Sequence, residues 1–413
     1  MGRPAGSKNK PKIVGNGLLF SKFDKQIENA PIIKNSGMGW VSYGSRNLYP
    51  FDLINLYNTS VTHKACIDFA VNAIVGDGID WEQMKLTSAD MPAPNYYTSW
   101  NQFIKALAFD FCLYSAFAFQ IIRNKDGKTY SFFNQPIETV RLEEMDEDGV
   151  VNGVYLCKDW SAYGKYPPVY IKTFGFQSEK EIPMGEPYLF YYRQPNPVNA
   201  YYGLPVYSSA LNAIQAEAQF QNYELKSITN GFTPTGALTL PAVETDDERQ
   251  AILKNIQALF TGAENSNALM VLFRNNIEEK PIEYTSFAPA TANVNLYEAA
   301  NERTIHRIMA AHKITSKALI GYPADDTGFS NSGEYLEAAF SLYNITVANN
   351  NRREILDCIN NLFRMNGVDV EIVLKPLRYA TDTTQTQIND NPETQDADTV
   401  DESEAVERED NTI

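Results

Sequence analysis

The segment YYGLPVYSSALNAIQAEAQFQNYELKSITNGFTPTGALTLP, Tyr201–Pro241, decides how this chain is organised. Pro205 suits a helix start, because its fixed φ is compatible with a first turn and its missing N–H would have no partner there. From Val206 to Thr229 every residue is helix-compatible, and Asn230-Gly231 then stops the run. Gly236–Leu240 follows as a short strand. A helix of this length delivering straight into a strand marks the entry to an inserted unit.

Downstream, the spacing predicts a helix over Glu244–Phe260, opened by Asp246, Asp247 and Glu248, whose charges complement the helix dipole. Strands at Ala268–Phe273 and Ile282–Phe287 complete a strand, helix, strand, strand insert. A second long helix spans Val294–Ile320, with Leu296, Ala300, Ile305, Ile308 and Ala311 on one face. The polar, turn-rich run GYPADDTGFSNSG, Gly321–Gly333, breaks it. A third helix, Glu334–Met365, and a closing strand, Val370–Leu374, come after.

Upstream, helical spacing runs over Leu53–Val75 and again over Trp100–Ala118, where Phe103, Ile104, Leu107, Phe111 and Tyr114 share a face. Short strands are expected at Phe119–Arg123, Thr129–Phe133, Val140–Glu143, Gly153–Lys158, Val169–Thr173 and Tyr188–Tyr192, the first two joined by a turn through Gly127. The fold class is α+β, and no internal repeat is present.

Charge is unevenly spread over the 413 residues. The chain has 35 basic and 51 acidic residues, a net of −16. Residues from Asp382 onward carry eleven acids against Arg408, whereas the first twelve carry Arg3, Lys8, Lys10 and Lys12. Both ends are expected to be largely unstructured, residues 1–34 as a basic arm and 380–413 as an acidic tail. Gly2-Arg3-Pro4 resembles arms that enter a DNA minor groove, although a solvated arm is the simpler reading. Acidity of this order argues against gripping nucleic acid, since affinity comes from cations neutralising phosphate. It does not argue against letting DNA slide past.

A search for chemistry returns little. No phosphate-cradling glycine motif occurs, and the Gly-Lys pairs at 127–128 and 164–165 fall in turns. Of three histidines, His306 and His312 lie about 240° apart around a helix and cannot chelate one ion together, and His63 is read as alone. Gly328-Phe329-Ser330-Asn331-Ser332-Gly333 has the wrong spacing and the wrong flanks for a nucleophile elbow, and Ser332 reads as a helix cap. Glu143, Glu144, Asp146, Glu147 and Asp148 precede Gly149 and read as a solvated turn rather than a metal site. Cys66, Cys112, Cys157 and Cys358 form no C-x-x-C pair and read as buried thiols of a reducing compartment. With no signal segment and no apolar run of about 18 residues, a cytoplasmic site of assembly, no membrane, no cofactor and no metal are expected. The enzyme reading finds no site to support it.

The entry Tyr202, Gly203, Pro205 and the exit Asn230, Gly231, Pro234, Gly236, Leu238 resemble the phage portal protein family, in its HK97-type form, and the order of elements from about Pro50 to Leu377 agrees. The resemblance implies a portal fold: a wing from 35–205, a stem helix at 206–230, a clip at 231–287, a second stem helix within 288–320, a tunnel loop at 321–333, and a return to the wing over 334–379. It implies a homo-oligomeric ring, usually of twelve, at one capsid vertex, passing double-stranded DNA. Its implied partners are the terminase large subunit, the major capsid protein and scaffold, and a head-completion adaptor. Candidate channel residues are Asp325, Asp326, Thr327, Phe329, Ser330, Asn331 and Ser332; candidate clip docking residues are Glu248, Arg249 and Lys254. Little sequence remains for a helical crown. The alternative is another head–tail connector or capsid-associated structural protein.

Overall fold

Eight buried or half-buried aromatic rings crowd the junction of one helix and one sheet, and this junction organises the molecule. Trp100, Phe103 and Phe111 project from a helix, Trp100–Tyr114, onto Phe117, Phe119, Phe132, Phe190 and Tyr192 of the sheet beneath it, with edge-on, tilted and stacked contacts between 4.8 and 6.5 Å. A computed structural model describes residues 27–87, 91–176, 182–230, 236–240, 247–248, 250–252, 269–273, 283–286, 291–323 and 333–377. All of them fall within one unit of contacts, Met1–Leu377.

In chain order the elements are β1 (Ile33–Asn35), β2 (Val41–Tyr43), α1 (Tyr49–Thr59), α2 (Val61–Val75), α3 (Trp100–Tyr114), β3 (Ala116–Arg123), β4 (Tyr130–Asn134), β5 (Val140–Leu142), β6 (Gly153–Leu156), β7 (Val169–Thr173) and β8 (Pro187–Arg193). The second half adds α4 (Leu211–Asn230), β9 (Gly236–Leu240), β10 (Leu269–Phe273), β11 (Glu283–Ser286), α5 (Thr291–Ala311), α6 (Gly333–Tyr343) and α7 (Asn349–Met365). Strands β3–β8 form one sheet in the order β4-β3-β8-β7-β6-β5, antiparallel except for β7 beside β8. Strands β9–β11 form a second sheet with β9 central, parallel to β10 and antiparallel to β11. The fold is α+β, as expected.

Several boundaries differ from the sequence reading, each for a local reason. The helix expected over Leu53–Val75 is two helices, because Ser60 is extended (φ −103°, ψ 116°) and caps α2 by accepting from the His63 N–H. The helix expected to reach Ala118 stops at Tyr114, where Ser115 turns left-handed (φ 52°) and the strand begins early. The helix expected over Val294–Ile320 ends at Ala311; Lys313 is left-handed (φ 59°), and a single 3-10 turn, Lys317–Ile320, follows. The helix expected over Glu334–Met365 carries a π turn at Asn344–Ala348, a one-residue wide spot in the hydrogen-bond ladder. Val370–Leu374 is not a strand; it makes one bridge, Leu374 to Ile79. The basic arm ends earlier than 34, since Ile27 is buried and β1 begins at Ile33.

The acidic turn and the buried thiols are as expected. The turn before Gly149 is closed by Asp146, which accepts from the Asp148 and Val150 N–H groups. All four cysteines are buried and free, and burial pushes the Cys112 and Cys358 thiols up to about 12. No helix among the described residues is long and apolar enough to cross a membrane.

Candidate stem root and assembly elements

Gly203 is held where no other residue fits. A Cβ there would meet the Tyr114 carbonyl oxygen at 2.3 Å and the Ser115 carbonyl oxygen at 2.8 Å, both backbone. Its own carbonyl accepts from Tyr43 Oη at 2.8 Å. The ring of Tyr202 stacks on Tyr43 with centroids 4.0 Å apart, and Tyr202 Oη accepts from the Leu142 N–H and donates to the Val41 carbonyl. The Tyr-Gly pair therefore ties β2, β5 and the end of α3 together immediately before α4. Tyr207, fully buried, adds a hydrogen bond from Oη to the Leu113 carbonyl at 2.6 Å.

From this anchor α4 runs beside α5, and both pack against α2. The contact is polar at its centre. Glu217, on α4 and only 3% exposed, points its carboxylate at the N-terminus of α2. It accepts from Ser60 Oγ, from the Thr62 N–H at 3.2 Å and from Thr62 Oγ1 at 2.6 Å. Because the Thr62 hydroxyl proton goes to Glu217, Tyr322 Oη donates to Thr62 Oγ1 at 2.9 Å. A buried carboxylate is tolerated here because three donors and the positive end of a helix surround it.

The opposite end of α2 is held from α7. Arg352 donates from Nε to the Ile74 carbonyl at 2.7 Å and from an Nη to the Ala73 carbonyl at 2.6 Å. These are terminal carbonyls with no partner inside their own helix. One helix from the first half of the chain is thus clamped at both ends by charges from the second half, each of the sign its dipole favours.

Beside Glu217, His63 Nδ1 lies 3.0 Å from His312 Nε2, and the Tyr207 ring stacks on His312. His63 is therefore not alone, as the sequence reading had it. Its partner lies 249 residues away, just past the end of α5. Burial pushes both imidazoles down, His63 well below its ordinary value and His312 to about 3, so the pair is neutral. His306 is exposed on α5 beside Glu302.

The candidate residues named from sequence are placed unevenly. Asp325, Asp326, Thr327, Phe329, Ser330, Asn331 and Ser332 lie outside the described residues, between Tyr322, tied to Thr62, and Gly333, where α6 begins. Glu248 is exposed in a helical stretch between β9 and β10, whereas Arg249 and Lys254 lie outside the described residues. Glu217, Thr62, Tyr322 and Arg352 were not singled out, and His63 and His312 were named but not paired. A signal existed for two of them: Glu217 falls in step with Leu211 and Ile214, and Arg352 with Ile355 and Ile359, each a charge on an apolar helix face.

The sequence profile described as phage portal protein matches residues 91–402. The chain belongs to the phage portal protein family. Membership gives it a portal or head–tail connector role. The portal chain is also similar in fold to components of gene transfer agent particles. One, from the virion of the native particle, aligns with a TM-score of 0.51 at 14% identity, over 82% of this chain and 84% of that one. Another, from the neck of the native particle computed with C12 symmetry, aligns with a TM-score of 0.50 at 16% identity, over 79% and 83%. An HK97 family phage portal protein from Corynebacterium diphtheriae aligns at 12% identity with a TM-score of 0.38, over 71% and 90%. No curated protein sequence matches this portal chain.

Proposed function

We propose that this portal chain is one subunit of a ring of twelve at a single capsid vertex of a virion, through which double-stranded DNA is packaged and later ejected. The observation that carries the reading is the family match over residues 91–402. The order of elements agrees with it: α4 and α5 pack side by side and flank a separate three-stranded sheet. The C12 symmetry of the neck particle that contains a similar chain supports the subunit number.

In this reading α4 and α5 are the stem, residues 231–287 the clip, 321–333 the tunnel loop, and residues 35–205 with 334–379 the wing. A head-to-tail ring needs two different lateral faces on each subunit, which a helical stem beside an α+β wing supplies. The loop's Asp325 and Asp326, with Thr327, Ser330, Asn331 and Ser332, offer DNA negative charge, hydroxyls and an amide rather than cations. Weak attraction to phosphate suits a conduit, because tight binding would slow transit. The clip, through Glu248, Arg249 and Lys254, meets the terminase large subunit during packaging and a head-completion adaptor afterwards. The wing meets the major capsid protein and scaffold. The chain acts as a conduit and docking platform, not as an enzyme.

Deleting residues 324–332 tests the reading. Rings of the variant should form as in the wild type, and DNA packaged per particle should fall at least tenfold. Loss of the ring, or undiminished packaging, would contradict the channel assignment.

A further inference from the structure

A cleft of about 770 Å³ opens between α1, α2, α3 and the end of β4. Its walls carry Tyr57, Asp68, Phe109, Asp110, Asn134 and Glu138. Two oxygens on residues of its walls have no hydrogen-bond partner, Asp110 Oδ2, on a residue only 5% exposed, and Asn134 Oδ1, although the Asn134 side chain bonds the Asp110 carboxyl. A buried polar atom left unpaired is costly, so a position of this kind is built for a donor that comes from elsewhere. Glu138 and Asp68 stand on the same walls, and the cation among the lining residues, Lys105, is exposed. Burial, reinforced by Glu138, pushes the Asp110 carboxyl upward, and burial likewise raises Glu138; both would ionise more readily beside a positive charge.

Size and lining select the class of ligand. The space is far larger than an ion requires, and although Lys64 already lies over the Tyr57 ring at 4.0 Å, the rings of Phe109 and Tyr114 among its walls suit a further cation carried on an organic stem. We propose that this cleft receives a basic side chain, and that its occupant is the N-terminal segment of this chain, Arg3 to Lys12. That segment holds Arg3, Lys8, Lys10 and Lys12, and no acidic residue occurs before Asp24. Its root is fixed: Ile27 is buried and its N–H reaches Gln215 Oε1 at 3.4 Å. Twenty-six residues span at most roughly 85 Å. A unit of this size has a radius of gyration of about 21 Å, so the segment reaches the cleft of its own subunit or of a neighbouring copy. The competing occupant for these cations is the acidic stretch from Asp382 to Asp410.

Carboxyl footprinting of the full-length chain separates the two. Labelling of Glu138 and Asp68 by carbodiimide and glycine ethyl ester is read by peptide mass spectrometry. The comparison is with a variant carrying Arg3→Gln, Lys8→Gln, Lys10→Gln and Lys12→Gln, which leaves the cleft itself untouched. Labelling of Glu138 should rise at least threefold in the variant, and wild-type labelling should rise by a similar factor in 1 M salt. Zero-length cross-linking without the ester should join Lys8, Lys10 or Lys12 to Glu138 or Asp68. Unchanged labelling of Glu138, or cross-links confined to residues 382–410, would overturn the proposal.

Discussion

Glu217 and Arg352 hold opposite ends of the same helix. The carboxylate sits at the N-terminus of α2, on the Thr62 N–H and the Ser60 and Thr62 hydroxyls, and the guanidinium sits on the Ala73 and Ile74 carbonyls at the C-terminus. Fifteen residues separate these ends, about 22 Å of helix. The clamp links α4, the proposed stem, to α7, the proposed return to the wing, through α2, itself an element of the proposed wing.

Glu217→Gln puts an NH₂ group among donors that have lost an acceptor. Unfolding free energy should fall by about 2–4 kcal/mol. Arg352→Met keeps the apolar stem and abandons two carbonyls, at a cost of about 1–3 kcal/mol. Urea denaturation of both single variants and the double variant measures this. The ends are far enough apart that the double variant should equal the sum to within about 0.5 kcal/mol; a large shortfall would mean that losing either end already releases the whole helix.

The His63–His312 pair predicts a pH dependence with a definite sign. Both imidazoles stay neutral in the fold, His312 down to about 3, whereas the unfolded chain protonates near pH ~6.5. Above that pH neither state takes up a proton, and the pair contributes no slope. Below it, protons bind the unfolded chain first, so stability falls as pH drops from about 6.5 toward 3, by up to about 1.4 kcal/mol per pH unit for each histidine. Melting temperature measured from pH 7.5 to 4.5 should decline less steeply in His312→Gln than in the wild type. Parallel curves would contradict the assignment.

Gly203→Ala should destabilise by about 3 kcal/mol or more, because the new methyl meets two backbone oxygens that cannot move aside. Gly164, with open space where its Cβ would be, is the control, and Gly164→Ala should be nearly neutral. Soluble yield and circular dichroism melts of the two variants distinguish them. Equal behaviour would remove the steric account of the Tyr-Gly entry.

Charge reversal on the proposed clip tests docking separately from folding. Arg249→Glu and Lys254→Glu should weaken capture of the packaging motor by roughly several-fold, with a stronger effect at low salt. Unchanged capture would take this surface out of the contact.

Elements decided by local chemistry were legible before the structure. Val169–Thr173 and Gly236–Leu240 have the bounds read from sequence, and α4 ends at Asn230, where Asn-Gly said it would. What escaped depends on distant partners. The apolar spacing of α1 and α2 runs straight across Ser60, and the break there is stabilised by Glu217, 157 residues away. Lys313 carries no turn signature, yet its left-handed backbone ends α5 where His312 turns in to meet His63. Strands β1 and β2 are three residues each, too short for a periodic pattern, and exist because they pair with one another. The junction around Glu217 and the histidine pair is assembled from α2, α4, the end of α5 and Tyr322, so no spacing in the sequence could have announced it.

Native mass spectrometry of the purified full-length chain, with electron microscopy of the same sample, tests the central claim most directly. The account predicts rings with a mass near twelve times 46.4 kDa and a central hole wide enough for duplex DNA. A chain that remains monomeric at every concentration and ionic strength tried would contradict it.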